Sequence, residues 1–414
     1  MVLARAFLTS VILLSILAAP LFSLEQDKIT SIEIKGLKRT KTHAAKYALE
    51  KFLGMERANL DLNDVRAAVK DSRILEPVDV ELVETPDGLL LRITVVEKWA
   101  FFPFPVVMAS SSDWDAGLFL ADTNAFGLMD MTAAGAVYGN TGWSAMMVYI
   151  HTPNRKRQPG WNTFFMYDMR EFEDHDREER ILRRYSAGKL IASMGLSYPL
   201  AGNLSANAAF SYTDISLKND NRSIDPPAEG AKLLGFSPGL SFNSSRWDGY
   251  LLSQRNASLS YSFNLALAGS SYHQLEFRGI FEQPLAPGFR FNLRSGVIWK
   301  SVAGSGTSPL FEEGPYNSQV DILPRRFSAL RYAGISAGLE KYIIKLPFGT
   351  LSVTGSWQYV ASHRPDSGFE FNQGPAGGLS FYLSRLALPA FGAVMAYNMN
   401  SQRFQFGFNM GMSF

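Results

Sequence analysis

Residues 403–414 read RFQFGFNMGMSF, with Phe404, Phe406, Phe408, Met410, Met412 and Phe414 on every even position. Gln405, Gly407, Asn409, Gly411 and Ser413 lie between them. A period of two sends successive side chains to opposite faces of a strand, so one face here is wholly apolar and the other small or polar. Such a face in water is a template for aggregation. In a bilayer it is the lipid-facing wall of a closed barrel. The pattern continues to the last aromatic residue, and the expectation is a closing barrel strand rather than a half-buried strand of a soluble sandwich.

The rest of the composition agrees. Of 414 residues, 19% are charged, below the usual quarter, while Gly (34), Phe (30) and Tyr (16) are plentiful. A net charge of +2 gives no sign of a nucleic-acid partner. The absence of Cys excludes disulfides, thiolate metal sites, a Cys nucleophile and a lipoprotein-type anchor. Arg5 followed by apolar Ala6 to Phe22 and small residues near Ser23 reads as a secretory signal over residues 1–23. Beyond it no run approaches the roughly 20 apolar residues of a membrane-spanning helix. The exported chain is therefore expected to cross a membrane, if at all, by strands.

Residues 28–98 have mixed periods. Ile29, Ile32 and Ile34 form a strand stopped at Gly36. Thr40 or Thr42 is placed to cap a helix running through Phe52, with Ala44, Ala45, Tyr47, Ala48 and Leu53 at helical spacing. A second helix starts near Asp61 and uses Val65, Ala68 and Val69. Val78, Val80 and Leu82 then alternate, the turn Thr85-Pro86-Asp87-Gly88 follows, and Leu90, Ile93 and Val95 complete a hairpin. The order is strand, helix, helix, strand, strand.

That order, with ITSIEIKGLKRT (29–40), DLNDVR (61–66), VDVEL (78–82) and VVEKW (95–99), resembles a single POTRA (polypeptide-transport-associated) domain. The resemblance implies the outer-membrane assembly and translocation superfamily of the BamA and TamA type, also called the bacterial surface antigen family. In that family such domains stand in the periplasm ahead of a barrel.

From residue 100 the helical period disappears and alternation broken by turn residues replaces it, the signature of a transmembrane β-barrel over 100–414. Sixteen candidate strands can be counted, an even number as single-chain bacterial barrels require. The long connections 171–184, 216–232, 303–331 and 363–375 fall on one side, and short ones such as 199–204, 284–289 and 346–350 on the other. The charge run EFEDHDREER (171–180), which contains His175 beside Glu173 and Asp176, reads as a solvated loop on the long side. The five histidines match no metal-ligand spacing, and no nucleophile elbow, P-loop or dinucleotide glycine motif is present.

The barrel adds to the resemblance. Asp122-Thr-Asn124-Ala-Phe-Gly127 is similar to the family's turn after its second strand, and Arg246 and Asp248 to its mid-barrel R-D turn. The family folds a long loop into the lumen behind strand eleven, and Pro324, Arg325, Arg326 and Phe327 are the nearest match to its tip. The resemblance makes Arg325 the lumen arginine, with Arg331 as rival and Glu340 as the partner if it faces the lumen. Pro103 and Pro105 either weaken the seam between first and last strands or belong to the linker before it.

The function that the resemblance implies is handling of polypeptide at the bacterial outer membrane. An extended client would add to the exposed Val78–Leu82 edge, residues Val78, Val80 and Leu82, and pass to the barrel seam. The implied partners are outer-membrane lipid, extended clients and periplasmic accessory subunits. No cofactor, metal or catalytic residue is expected. The alternative is a passive pore or structural barrel that has lost the insertase role.

Overall fold

The computed structural model describes residues 27–410 apart from 48, 73, 111–112, 152–157, 177, 179, 224–229, 249–250, 303–319, 325–326, 328, 348, 365–367 and 384–388. The proposed signal, residues 1–23, lies outside the described residues. The chain divides into two compact units. One comprises the N-terminal region to Phe102 together with the turn Ala121–Thr132, and the other holds most of the barrel.

The N-terminal region is a small α+β, POTRA-like fold. Strand β1 (Ile29–Lys35) is followed by helix α1 (Thr42–Tyr47), a 3-10 turn (Glu50–Phe52), a second one (Arg57–Asn59) and helix α2 (Leu62–Asp71). Strands β2 (Leu75–Thr85) and β3 (Gly88–Glu97) complete it. The sheet order is β1-β3-β2, with β1 parallel and β2 antiparallel to the central β3. Asp61 caps α2, its carboxylate accepting from the Asn63 N–H at 2.8 Å. Val65, Ala68 and Val69 from α2 pack on Ile29, Ile32, Leu91, Ile93 and Val95 from the sheet.

The first helix is shorter than its spacing predicts. Leu49 and Phe52 are both buried, and a 3-10 turn aligns residues three apart on one face. Leu53, expected inside, is exposed. Gly54, with φ +78°, donates its N–H to the Ile29 carbonyl at 2.8 Å and returns the chain to β1.

Barrel strands begin with β4 (Phe101–Ser110), β5 (Trp114–Ala125), β6 (Asp130–Gly139), β7 (Gly142–His151) and β8 (Gly160–His175). They continue with β9 (Ile181–Ala201), β10 (Leu204–Ser223), β11 (Ala231–Asp248), β12 (Leu251–Ala268), β13 (Tyr272–Ala286) and β14 (Phe289–Val302). The last five are β15 (Arg331–Leu346), β16 (Gly349–Arg364), β17 (Gly368–Leu383), β18 (Pro389–Asn398) and β19 (Arg403–Met410). These sixteen close into one ring in which β19 meets β4. The mainly β class, antiparallel barrel and strand number all match the sequence expectation.

The alternation explains the ring. In β15 the side chains of Tyr332, Ser336 and Glu340 are buried, whereas Ile335 and Leu339 between them are exposed. In β16 Ser352, Gln358 and Val360 point inward, while Val353, Trp357 and Tyr359 point outward. Phe404 and Phe406 of β19 are likewise exposed and Gln405 is buried. The outer wall is thus apolar and the lumen largely polar, the arrangement of a barrel solvated by acyl chains. Among the described residues no helix is long and apolar enough to cross a membrane.

The long side differs from expectation. The stretches 171–184, 216–232 and 363–375 are mostly strand rather than loop: Glu171 pairs with Ser186, Ser223 with Arg183, and Ser362 with Glu370. A ladder is held by backbone groups and continues wherever a neighbour runs alongside. Above the lipid both faces can be polar, so the alternation ends although the strand does not. β9 has 21 residues, about twice what a tilted strand needs to cross the hydrocarbon.

Gly36 ends β1 with φ +91°, and a Cβ there would collide with the Val95 carbonyl oxygen. Gly36→Ala is expected to destabilise the N-terminal fold by about 1–3 kcal/mol. Hydrogen exchange of the β1 and β3 amides in the full chain checks this, since exchange there should accelerate while barrel amides keep their rates.

Candidate functional site

The lumen contains a strap. Val320, Ile322, Leu323, Phe327 and Ala329 are buried against inward-facing Val360 of β16, Ala376 of β17 and Ala396 of β18. Asp321 donates its N–H to Gln358 Oε1 at 2.6 Å, and Gln358 Nε2 donates back to Asp321 Oδ2 at 2.8 Å. Leu330 N–H donates to the His363 carbonyl at 3.1 Å. Phe327 also forms a backbone bridge with His175 at the end of β8. β8 and β16 lie eight places apart in a ring of sixteen, so the segment reaches opposite walls.

This arrangement accounts for the charge run. His175 and Glu173 are not in a solvated loop. They sit at the end of β8 with little exposure, with His175 Nε2 and Glu173 Oε2 at 3.1 Å and Arg184 paired to Glu173. Among the described residues no His, Asp and Glu cluster is arranged to hold a metal.

The lumen-tip residues separate. Pro324 and Phe327 form a turn, the Phe327 N–H donating to the Pro324 carbonyl at 2.9 Å, and both are buried. Arg325 and Arg326 lie outside the described residues. Arg331 sits on the outer wall, its guanidinium 4.3 Å from the Trp299 ring centroid and its Nε donating to the Lys300 carbonyl at 3.0 Å. Glu340 does face the lumen, and the arginine it meets is Arg290 of β14. Arg290 Nε donates to Glu340 Oε2 at 2.8 Å and Nη1 to Glu282 Oε2 at 3.1 Å.

Around this pair the wall forms a larger network. Ser352 and Tyr382 hydroxyls donate to Glu340 Oε1 at 2.6 and 2.9 Å. Asn292 Nδ2 lies 3.4 Å from Glu340 Oε2. Glu282 also accepts from Arg294 at 3.2 Å and Gln254 at 3.0 Å. Six neighbouring strands, β12 to β17, are joined on the inside. A carboxylate has about four lone-pair sites, and Glu340 already meets four side chains. Two carboxylates face two guanidiniums, which balances a buried charge that would be costly unpaired.

Sequence reasoning missed Arg290, Glu282 and Tyr382 as a set. The signal was in Phe289-Arg-Phe-Asn-Leu-Arg294, where Arg290, Asn292 and Arg294 share one face of a period-two strand. Charged residues at that period in a barrel strand mark its lumen face.

At the N-terminal region, the β2 edge opposite β3 has no strand partner among the described residues. The start of the other edge is covered, since Ile29 N–H donates to the Met55 carbonyl at 3.0 Å and Lys28 bridges Glu56. Val78, Val80 and Leu82 do not share one face. A bulge between Pro77 and Asp79 throws Val78 outward, while Val80 is buried and Leu82 packs on the core.

At the seam, β19 pairs with β4 through Gly407–Ser110, Phe408–Ala109, Asn409–Met108 and Met410–Val107. Pro103 and Pro105 lie within β4, not in a linker before it. Phe408 is half-buried; Met412 and Phe414 lie outside the described residues, as does the Met410 side chain.

The turn after β5 is packed on the N-terminal region. Asp122 forms an ion pair with Arg39, and Asn124 Nδ2 donates to Thr40 Oγ1 at 2.9 Å. Lys41 N–H donates to the Gly127 carbonyl at 2.8 Å, and a Cβ on Gly127 would strike the Arg39 carbonyl oxygen. Glu97 organises the opposing loop, accepting the Lys38, Arg39 and Thr40 N–H groups at 3.0, 2.9 and 2.8 Å. Burial acts to raise the Glu97 carboxyl, but these backbone donors outweigh it and hold it below the ordinary 4.5.

No protein-family model matches the sequence, and no curated protein sequence matches it. In fold the chain is similar to BamA from Haemophilus ducreyi lacking POTRA domains 1–3, with TM-score 0.64 and 14% identity over 92% of this chain and 84% of that one. It is also similar to CdiB from Escherichia coli, with TM-score 0.63 and 14% identity over 93% and 76%. CdiB from Acinetobacter baumannii gives TM-score 0.62 and 12% identity over 93% and 74%. A sixteen-stranded barrel behind a small α+β domain is the fold that the sequence resemblance implies.

Two outcomes are expected from these sites. Glu340→Gln leaves Arg290 buried without its main partner and should cost about 3–5 kcal/mol; replacing Arg290 and Glu340 together by Met should cost less. Urea unfolding of the vesicle-embedded protein measures both. Because the folded Glu97 carboxyl titrates below its unfolded counterpart, its contribution is complete above about pH 4.5 and is lost as pH falls through the lowered value. Amides 38–40 should therefore lose protection only in acid, and Glu97→Gln should remove that step.

Proposed function

We propose that the chain is an outer-membrane protein that handles extended polypeptide, either assembling other barrels or moving chains across the membrane. The observation that carries this reading is an apolar-walled, sixteen-stranded barrel joined to a small domain whose β2 edge has no strand partner among the described residues. The N-terminal region stands in the periplasm in this reading. An extended client adds to β2, where backbone groups supply affinity with little demand on sequence. Pro77 and the bulge blunt the first part of that edge, so the client pairs from Asp79 to Thr85. The client then passes to the seam between β4 and β19. Likeness in fold to BamA and CdiB supports this role, and the strap crossing the lumen supports it over a plain open pore.

Photo-crosslinkers at Asp79 and Glu81 in cells are expected to capture outer-membrane or exported polypeptides. Depletion should lower the levels of those same clients; unchanged levels would sink the assembly role. A cysteine pair at Ser110 and Gly407, opposite each other at the seam and unique in a chain without Cys, should stop client handling when oxidised and restore it on reduction.

A further inference from the structure

Two side chains of the N-terminal unit are more exposed than any other large hydrophobic side chain among the described residues: Trp99 at 82% and Phe126 at 72%. Their settings argue against accident. Phe126 occupies the turn after β5 with φ +56°, a left-handed conformation that is costly for a bulky residue and natural for Gly. The turn accepts that strain to present an aromatic ring that the protein's own core does not bury. Trp99 stands beside the same turn, because the Ala100 carbonyl accepts the Thr123 N–H at 3.0 Å and the Thr123 hydroxyl at 3.3 Å.

Cations complete the patch. Lys38 and Lys41 lie on the loop that packs against this turn, and both are exposed. Two local carboxylates are already engaged, Asp122 by Arg39 and Glu97 by three backbone N–H groups, and Asp130 is buried. That holds the loop in one shape with its lysines outward. Along the chain the exposed residues Leu118 and Leu120 of β5 come shortly before the turn that carries Phe126.

We propose that Trp99, Phe126, Lys38 and Lys41 form a contact for the headgroup layer of a membrane carrying anionic phospholipid. Aromatic rings sit at headgroup level because they are part apolar and part polar. Lysines beside them gain from anionic headgroups. The contact fixes the entrance hairpin and the loop packed on it at the bilayer surface. The inference rests on the membrane reading of the barrel and adds a lipid class and a site to it.

The test uses the full chain in vesicles of phosphatidylcholine alone or with phosphatidylglycerol. Acetylation of Lys38 and Lys41, followed by mass spectrometry, should slow by about fivefold or more when phosphatidylglycerol is present. Lipids brominated near the headgroup should quench tryptophan fluorescence, and Trp99→Ala should remove part of that quenching. Phe126→Gly relieves the backbone and keeps the turn, yet should raise the acetylation rate in the anionic vesicles. Equal acetylation in both vesicles, no loss of quenching in Trp99→Ala, or no effect of Phe126→Gly would each overturn the contact. Quenching of the other tryptophans, Trp357 on the outer wall among them, reports barrel insertion separately. If that quenching persists while the patch shows none, the barrel reading stands and this inference falls.

Discussion

A backbone that crosses acyl chains can place its N–H and C=O groups only on another strand, and a sheet without edges is the one β arrangement that leaves none over. Closure of β4 on β19 therefore governs the rest of the barrel. It makes each inward or outward choice follow from a single register, since a shift of one residue would turn Trp357 inward and Gln358 into lipid. It also concentrates the whole risk of opening at the join. There the described pairing joins Val107–Ser110 to Gly407–Met410, and β4 contains two residues that cannot donate, Pro103 and Pro105.

The interior answers a second constraint, which is how to keep ionised groups where water is scarce. The wall does it locally. Arg290 spans Glu282 and Glu340, and Ser352 and Tyr382 fill the remaining sites on Glu340. The described strap is held differently, by apolar burial of Ile322, Leu323 and Phe327 and by the reciprocal Asp321–Gln358 pair. Removing one group from the wall network leaves another buried and charged. Loosening the strap exposes mostly apolar surface. The two devices thus differ in what breaks them, the first by loss of a partner and the second by loss of contact area.

In the N-terminal unit one carboxylate has an unusually wide effect. Glu97 closes β3 and at the same time gathers the N–H groups of residues 38–40. That fixes Thr40, which receives Asn124, and Lys41, which reaches Gly127. The Asp122–Gly127 turn is shaped from within by Asn124, whose Oδ1 accepts the Met129 N–H at 3.0 Å. Small residues and short polar side chains are used here because backbone approaches backbone, and Gly127 leaves no room for a Cβ.

By itself the sequence determined what depends on near neighbours along the chain. The period of two in Arg403–Met410 or in Arg331–Leu346 is a local property, and so the barrel class, its sixteen strands and the β-α-α-β-β order could be read directly. The cap at Asp61 and the turn at Gly88 are local in the same way. The tertiary structure alone decided what depends on residues far apart in sequence. Glu340 finds Arg290 fifty residues away and Tyr382 on yet another strand, which no spacing records. The bulge that turns Val78 outward is set by the β3 ladder beside it. The strands continuing through 171–175 and 181–184 persist because a partner runs alongside, and backbone pairing leaves no period-two pattern where charged side chains occupy both faces.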